Sequence, residues 1–386
     1  QAFYNLGLID EKKQNYQSAI NFFIKAITIN PNYAEANYNL GCVFQKIGDL
    51  VSAEKHFVQA IKKKKNYVKA IYNLSRIYLA TNNFKKGWEC YEFREKGVEN
   101  LYKALGLENS KVWNGEIFNE TLYVHGEQGF GDELLFSSML SDLKETHKKL
   151  VVTVDNRLIP LISRKHKDIK FVNRYDKNIY KKDLKAKHIL IGSLGKIFRR
   201  SRKDFVNSKE TLIQTSTNKD KEIAEKISNI KKIKIGISWK GAKSKTTNRQ
   251  ISLTQLSEIF PSDKFEFINL QYGEFKKDLS EFKKKESRDV FLINGFDYDN
   301  DFDGLCSLIN QCDLVVTLGN SVAHLVGALR KKAYVLVAVD AQWYWQSESL
   351  KKTWYESLSV LRSKNMNDWS DILNELKKNI DITKFN

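Results

Sequence analysis

Two short stretches hold residue types that can move a proton and hold an anion. The first is Gly126-Glu127-Gln128-Gly129-Phe130-Gly131-Asp132. Its glycines stand between a strand pattern, Thr121–His125, and an apolar-periodic helix pattern, Glu133–Lys144, so the backbone can turn tightly and approach a ligand. Asp132 falls in the first helical turn, where a carboxylate complements the helix dipole. In the same place it can serve as a general base at the floor of a cleft, with Glu127 as second candidate. The spacing is neither the dinucleotide fingerprint nor a P-loop.

The second stretch runs from Asn310 to Ala328. A strand, Leu314–Leu318, leads through Gly319-Asn320-Ser321 into a helix rich in small residues. Asn320 or Ser321 suits the N-cap. Unpaired N–H groups and the positive end of the dipole there make a seat for a diphosphate; simple helix–sheet packing gives the same pattern. His324, one turn in, is either structural or a donor to phosphate or to developing charge. Lys240 and Arg249 bracket a basic loop, Ala242–Arg249. They are exposed loop cations or point charges for an anionic ligand.

These residues need elements to carry them. Strand patterns at Leu150–Val154, Ile169–Val172, His188–Ile191, Lys232–Ser238, Phe265–Leu270, Val290–Ile293 and Ala333–Val337 alternate with helix patterns near 157–165, 219–230, 253–259, 275–283 and 303–310. That is the rhythm of parallel α/β domains. Arg199, Arg200 and Arg202 read as a solvated basic face. Trp343, Trp345 and Trp354, with Tyr344 and Tyr355, form an aromatic cluster that either covers a base or sugar or packs domains together.

Upstream the chain repeats itself. Leu6-Gly7, Leu40-Gly41 and Leu74-Ser75 recur every 34 residues, as do Ala19, Ala53 and Gly87, and Phe23, Phe57 and Tyr91. This resembles the tetratricopeptide repeat, in which small residues let two antiparallel helices pack closely. The third unit is degenerate, with Arg94 where a small residue is usual, and suits a cap against the next domain. Asn5, Asn39 and Asn73 recur at the same period. The resemblance puts them on a concave groove, where a ladder of amides can pair with an extended peptide; they are equally a common repeat variant.

The chain has 386 residues, enough for several domains, 42% of them hydrophobic. No apolar run approaches the length of a membrane span. The four cysteines, Cys42, Cys90, Cys306 and Cys312, are scattered, so neither a metal framework nor a disulfide framework is expected. We expect a cytoplasmic protein, possible attraction to the anionic inner membrane face given a formal charge of +18, and no nucleic-acid partner, since no such motif accompanies the charge. Gln1 opens inside a helical pattern, which reads as a fragment with more repeats upstream.

The order of these motifs, with Trp113-x-Gly115, Ser238-Trp239-Lys240-Gly241, Leu270-Gln271, Ala323-His324-Leu325 and Trp343-Tyr344-Trp345, resembles bacterial tetratricopeptide-repeat glycosyltransferases of the heptosyltransferase kind. It is similar in plan to the O-linked N-acetylglucosamine transferases. The resemblance implies an α-helical repeat array (1–98) plus α/β, a GT-B-like pair of Rossmann-like domains (111–215 and 230–386). It implies a nucleotide-sugar donor without an obligatory metal, and a protein or peptide acceptor docked on the repeats. Donor contacts would fall to Lys240, Gln271, Gly319, Asn320, Ser321, His324, Gly129 and Gly131, and base chemistry to Asp132. Two departures stand out: Gly319 where the family usually has an aspartate, and Tyr344 where an arginine is common. They favour the alternative of a non-catalytic docking protein; a further alternative is a transferase acting on a surface or lipid-linked saccharide, held near anionic lipid by the +18 charge.

Overall fold

The computed structural model describes residues 1–94, 102–103, 105–107, 110–176, 185–205, 210–241, 250–346, 354–366 and 368–380. Six helices open the chain as three antiparallel pairs: α1 (Ala2–Lys12), α2 (Tyr16–Ile29), α3 (Ala34–Lys46), α4 (Leu50–Lys63), α5 (Val68–Ala80) and α6 (Phe84–Tyr91). The glycines of the repeat are needed for close approach. A Cβ on Gly7 would stand 2.7 Å from the Phe23 ring, and one on Gly41 would stand 2.8 Å from Phe57. The last repeat does cap the array against the next domain: Trp88 of α6 packs on Gly195, and its indole donates to the Arg199 carbonyl at 2.7 Å.

Two five-stranded sheets follow, each wholly parallel. The first joins β1 (Lys111–Val112), β2 (Leu122–His125), β3 (Leu150–Val154), β4 (Lys170–Asn173) and β5 (Lys187–Leu190) in the order β1-β5-β2-β3-β4. The second joins β6 (Ile233–Ser238), β7 (Phe265–Asn269), β8 (Leu314–Leu318), β9 (Ala333–Val337) and β10 (Leu358–Arg362) in the order β10-β9-β8-β6-β7. Strands β3 and β8 are buried along their whole length, as parallel strands covered on both faces must be. Each order reverses beside its first long strand, so each sheet has a crevice at the carboxyl ends of its strands. In the first sheet the crevice lies between β2 and β5, and in the second between β6 and β8. With the helical repeats, this is the GT-B-like arrangement. Helix α7 (Phe130–Ser137) leaves β2, and helix α9 (Ser321–Ala328) leaves β8 after α8 (Phe302–Gln311). The halves meet where Phe130 packs edge-on to Phe302 at 4.4 Å, and Arg164 forks onto Asp303 at 2.5 and 2.9 Å.

Several expectations change. The helix expected over 133–144 stops at Ser137, because the Ser137 and Ser138 hydroxyls each donate to a carbonyl one turn back at 2.7 Å, competing with the ladder; a second helix spans Leu140–Thr146. Residues 290–293 make a single parallel bridge, Ile268 to Phe291, rather than a strand, and the Tyr298 hydroxyl takes the Ile293 amide. Strands β1 and β10 and the helix Ser370–Asn379 had no expectation. Arg199 is not on a solvated face. It is buried, donates to Asp142 at 2.8 Å and lies over the Phe205 ring.

Candidate active site

The loop after β2 is held from two sides. Arg94, with no exposed surface, forks onto Glu127 at 2.8 and 2.5 Å and also donates to Ser193 Oγ at 2.9 Å. Glu127 also accepts from the Gly192 amide at 3.0 Å. Its carboxylate is therefore spent, which removes Glu127 from the candidate bases: a buried carboxylate in a bidentate ion pair is a structural anchor. The arginine that departs from the repeat pattern is its partner. Tyr91 shares hydrogen bonds of 2.9 and 3.2 Å with the Gln128 amide, so the last repeat grips two successive residues of the loop. On the other side, Glu133 is fully buried, accepts from the Asp155 amide and from Arg174, each at 2.7 Å, and is pushed up to about 7 by burial. Gly126 is required there, because a Cβ would lie 2.4 Å from that carboxylate and 2.5 Å from the Thr153 carbonyl.

Asp132 emerges from this clamp as the third residue of α7, in a capping-box position with Gly129 as N-cap. It is half-buried and faces the cleft. Burial is the main cause that pushes its carboxyl up to about 6, with the Glu127 charge adding and the Tyr344 hydroxyl bonding to it in opposition. Tyr344 thus stands near Asp132 as a neutral hydroxyl where an arginine is common. It lies in α10 (Trp343–Gln346) and packs edge-on to His324 at 5.2 Å.

Across the cleft, α9 opens at the β8 turn. Asn320 is its N-cap: Oδ1 accepts from the Val322 amide at 3.0 Å, and Nδ2 donates to Ser238 Oγ at 2.8 Å and to the Lys240 carbonyl at 2.9 Å. The side chain pins the ends of β6 and β8 together, so Asn320 serves the turn rather than a ligand. Gln271 is committed likewise, accepting from Ser238 and from the Lys240 amide at 3.1 and 2.9 Å and donating to the Tyr272 carbonyl at 2.9 Å. The Lys240 ammonium is paired with Asp278, so it is not the charge partner expected for a diphosphate. Arg249 lies outside the described residues. Ser321 lines the cleft. A Cβ on Gly319 would stand 2.9 Å from Val337 and 3.1 Å from the Trp345 indole nitrogen, so an aspartate does not fit beside this tryptophan.

His324 is nearly sealed, with Nδ1 3.1 Å from the Tyr355 hydroxyl, and burial pushes it down to about 3. It is neutral at ordinary pH and cannot be a cationic partner, though its ring can still donate a hydrogen bond. Gly131 carries no side chain because the two halves touch here: a Cβ would lie 2.8 Å from the His324 ring. Between them lies a cavity of about 230 Å³, walled by Gly129, Gly131 and Asp132 on one side and by Gly319, Ser321, His324, Tyr344 and Trp345 on the other. Among the described residues no lysine or arginine lines it. The aromatic cluster divides its roles. Trp343 packs edge-on to Trp88 at 5.6 Å, and Trp354 lies 5.1 Å from Phe205, so both are core between parts of the chain, whereas Trp345 faces the cavity.

The asparagines of the repeats are not an open ladder. Asn39 donates to the Tyr4 hydroxyl at 2.9 Å, and Asn73 donates to the Tyr38 hydroxyl at 3.4 Å. Each amide is tied to the preceding repeat. Asn5, in the first repeat, accepts from Gln1 at 3.2 Å. The recurrence of tyrosine at 4, 38 and 72 beside asparagine at 5, 39 and 73 was the available signal.

Two family models match the array: TPR repeat over residues 7–48 and tetratricopeptide repeat over residues 34–67. The helical array is built of tetratricopeptide repeats. The chain is 25% identical over 317 residues to Protein FlbA of Caulobacter vibrioides, covering 76% of this chain and 52% of that protein. It spans about half the length of the curated relative it matches. Among solved structures it is similar to the E. coli ADP-heptose lps heptosyltransferase II, with 12% identity, a TM-score of 0.49, and coverage of 67% of this chain and 98% of that one. It is also similar to the Thermobaculum terrenum O-GlcNAc transferase, with 11% identity, a TM-score of 0.32, and coverage of 98% and 89%.

Proposed function

We propose that this protein is a glycosyltransferase that moves a sugar from a nucleotide-activated donor to a protein acceptor docked on its repeats. The observation that carries the reading is Asp132. Its carboxyl, pushed up to about 6, faces the open N-terminus of α9 across one cavity. That value leaves it ionised at neutral pH yet basic enough to take a proton. In the step we envisage, an acceptor hydroxyl attacks the anomeric carbon and its proton passes to Asp132. The bond from that carbon to the phosphoryl oxygen breaks, and the nucleoside diphosphate leaves with the electron pair. Amides at the Asn320–Ser321 turn and the helix dipole stabilise the leaving charge. An acceptor arriving from the repeats is supported by the short path between the two. Arg76 of α5 donates at 3.1 Å to Gln342 on the cavity wall, and Tyr91 of α6 holds the Asp132 loop.

A second reading, a docking protein whose transferase half binds without turnover, is favoured by the lack of a cation on the cavity wall among the described residues. Thermal shift with a panel of nucleotide sugars tests the first reading. At a hundred times its dissociation constant, a donor adds about 2.7 kcal/mol. We expect a selective shift by one donor, lost in Ser321→Asp, whose carboxylate suits a helix N-terminus but repels a diphosphate. No shift by any donor would sink it.

A further inference from the structure

Two tryptophans on the cavity wall, Trp345 and Trp369, hold indole N–H groups without a hydrogen-bond partner, and that of Trp345 lies at the turn before α9. The Trp345 side chain is 4% exposed and lines the cavity, yet its Nε1–H has no hydrogen-bond partner. A buried donor left unmade forfeits its hydration with nothing in return, and native structures hold few such groups. Its place is specific. The nitrogen lies 3.1 Å from where a Cβ of Gly319 would stand. Gly319 is the last residue before the N-cap of α9, so this donor stands beside the anion-ready turn. The absence of a side chain at residue 319 is what allows the indole to lie there. The other donors of the turn are amides and the Ser321 hydroxyl, and among the described residues the expected cations are withdrawn: Lys240 is held by Asp278 and His324 is neutral.

We propose that the Trp345 indole N–H is a ligand donor of the cleft, hydrogen-bonding a phosphoryl oxygen of the diphosphate group received by the Asn320–Ser321 turn. This rests on the reading of the cleft as a nucleotide-sugar site and adds the residue that substitutes a neutral N–H for a cation. The N–H is closed off beside Gly319, so the ring must tip away from Gly319 to admit an incoming oxygen. A charged acceptor is the partner for which one such bond is worth most.

The test uses the whole protein with nitrogen-15 in its indoles. It has seven tryptophans, and the resonance of Trp345 is identified by its loss in Trp345→Phe or, should that variant not fold, by its displacement in Gly319→Ala. Titrants are inorganic pyrophosphate, a set of nucleoside diphosphates and the corresponding nucleosides. We expect that resonance to move downfield with the diphosphates and with pyrophosphate, and not with nucleosides. We also expect Trp345→Phe to weaken diphosphate binding about tenfold or more. Trp354→Phe, which removes another buried indole N–H without a partner but outside the cavity, leaves binding unchanged. If a nucleoside diphosphate binds while the Trp345 resonance stays put and Trp345→Phe binds like the parent, the inference falls and the transferase reading stands. A resonance that moves only with intact nucleotide sugars would assign the donor to the sugar and overturn the proposal. If no phosphorylated ligand binds the unaltered protein, both fall together.

Discussion

Replacing Asp132 with asparagine should make the fold more stable while abolishing the chemistry, and the gain should depend on pH in a defined direction. Folding raises this carboxyl from 3.8 to about 6. A group whose folded pKa is raised contributes stability that is fully present below its unfolded value and is lost as pH rises through the folded one. At pH 8 the ionised Asp132 therefore weakens the fold. At 1.36 kcal/mol per pH unit, the interval from 3.8 to about 6 corresponds to about 3 kcal/mol. The favourable interaction of a first-turn carboxylate with the helix dipole, about 0.3–1 kcal/mol, is lost in the variant. The side chain also keeps partial contact with water. We therefore expect Asp132→Asn to be about 1–2 kcal/mol more stable than the parent at pH 8 and equal to it near pH 4. Urea unfolding of both proteins at the two pH values, followed by tryptophan fluorescence, gives the difference. A gap that is absent at pH 8, or that is the same at both pH values, would refute the assignment of Asp132 as a strained, cleft-facing carboxyl.

The other predictions follow from the same contacts. Arg94→Met leaves Glu127 buried without its partner and should cost about 3–5 kcal/mol; adding Glu127→Met should restore much of it, and a double variant no more stable than the single one would contradict the ion-pair account. Asn73→Ala removes a hydrogen bond between repeats and should cost about 0.5–1.5 kcal/mol in the melting of the array; an unchanged melt with loss of peptide binding would return the asparagines to the role of an open ladder.

Much of this architecture is written locally. The 34-residue period and its small residues dictate the helical pairs, and runs such as Leu314–Leu318 followed by Gly319-Asn320-Ser321 place a strand, a turn and an N-cap within the run itself. Asp132 is legible for the same reason, since its position depends only on the helix it begins. What was not legible is which neighbours occupy the polar side chains. Glu127 meets Arg94 from 33 residues earlier, and Lys240 meets Asp278 from the far side of β7. Asn39 meets Tyr4 one repeat back. Such pairings depend on how helices and sheets stack, and each withdrew a candidate from the site. Gly319 and Tyr344 show the reverse: as isolated letters they look like lost function, but both belong to the cavity wall, the glycine making room for Trp345 and the tyrosine hydroxyl helping to hold down the Asp132 pKa.

Whether this cleft cleaves a nucleotide-activated sugar with Asp132 as base can be read from the rate of nucleoside diphosphate release from the donor that binds, measured from pH 5 to 9 with the parent and with Asp132→Asn. The base acts when ionised, so the parent rate should rise through about pH 6, in line with the raised carboxyl, and level off above it. The variant should fall by about 10²–10⁴-fold while still binding the donor. A variant that releases nucleoside diphosphate as fast as the parent, with the same pH profile, would contradict the account.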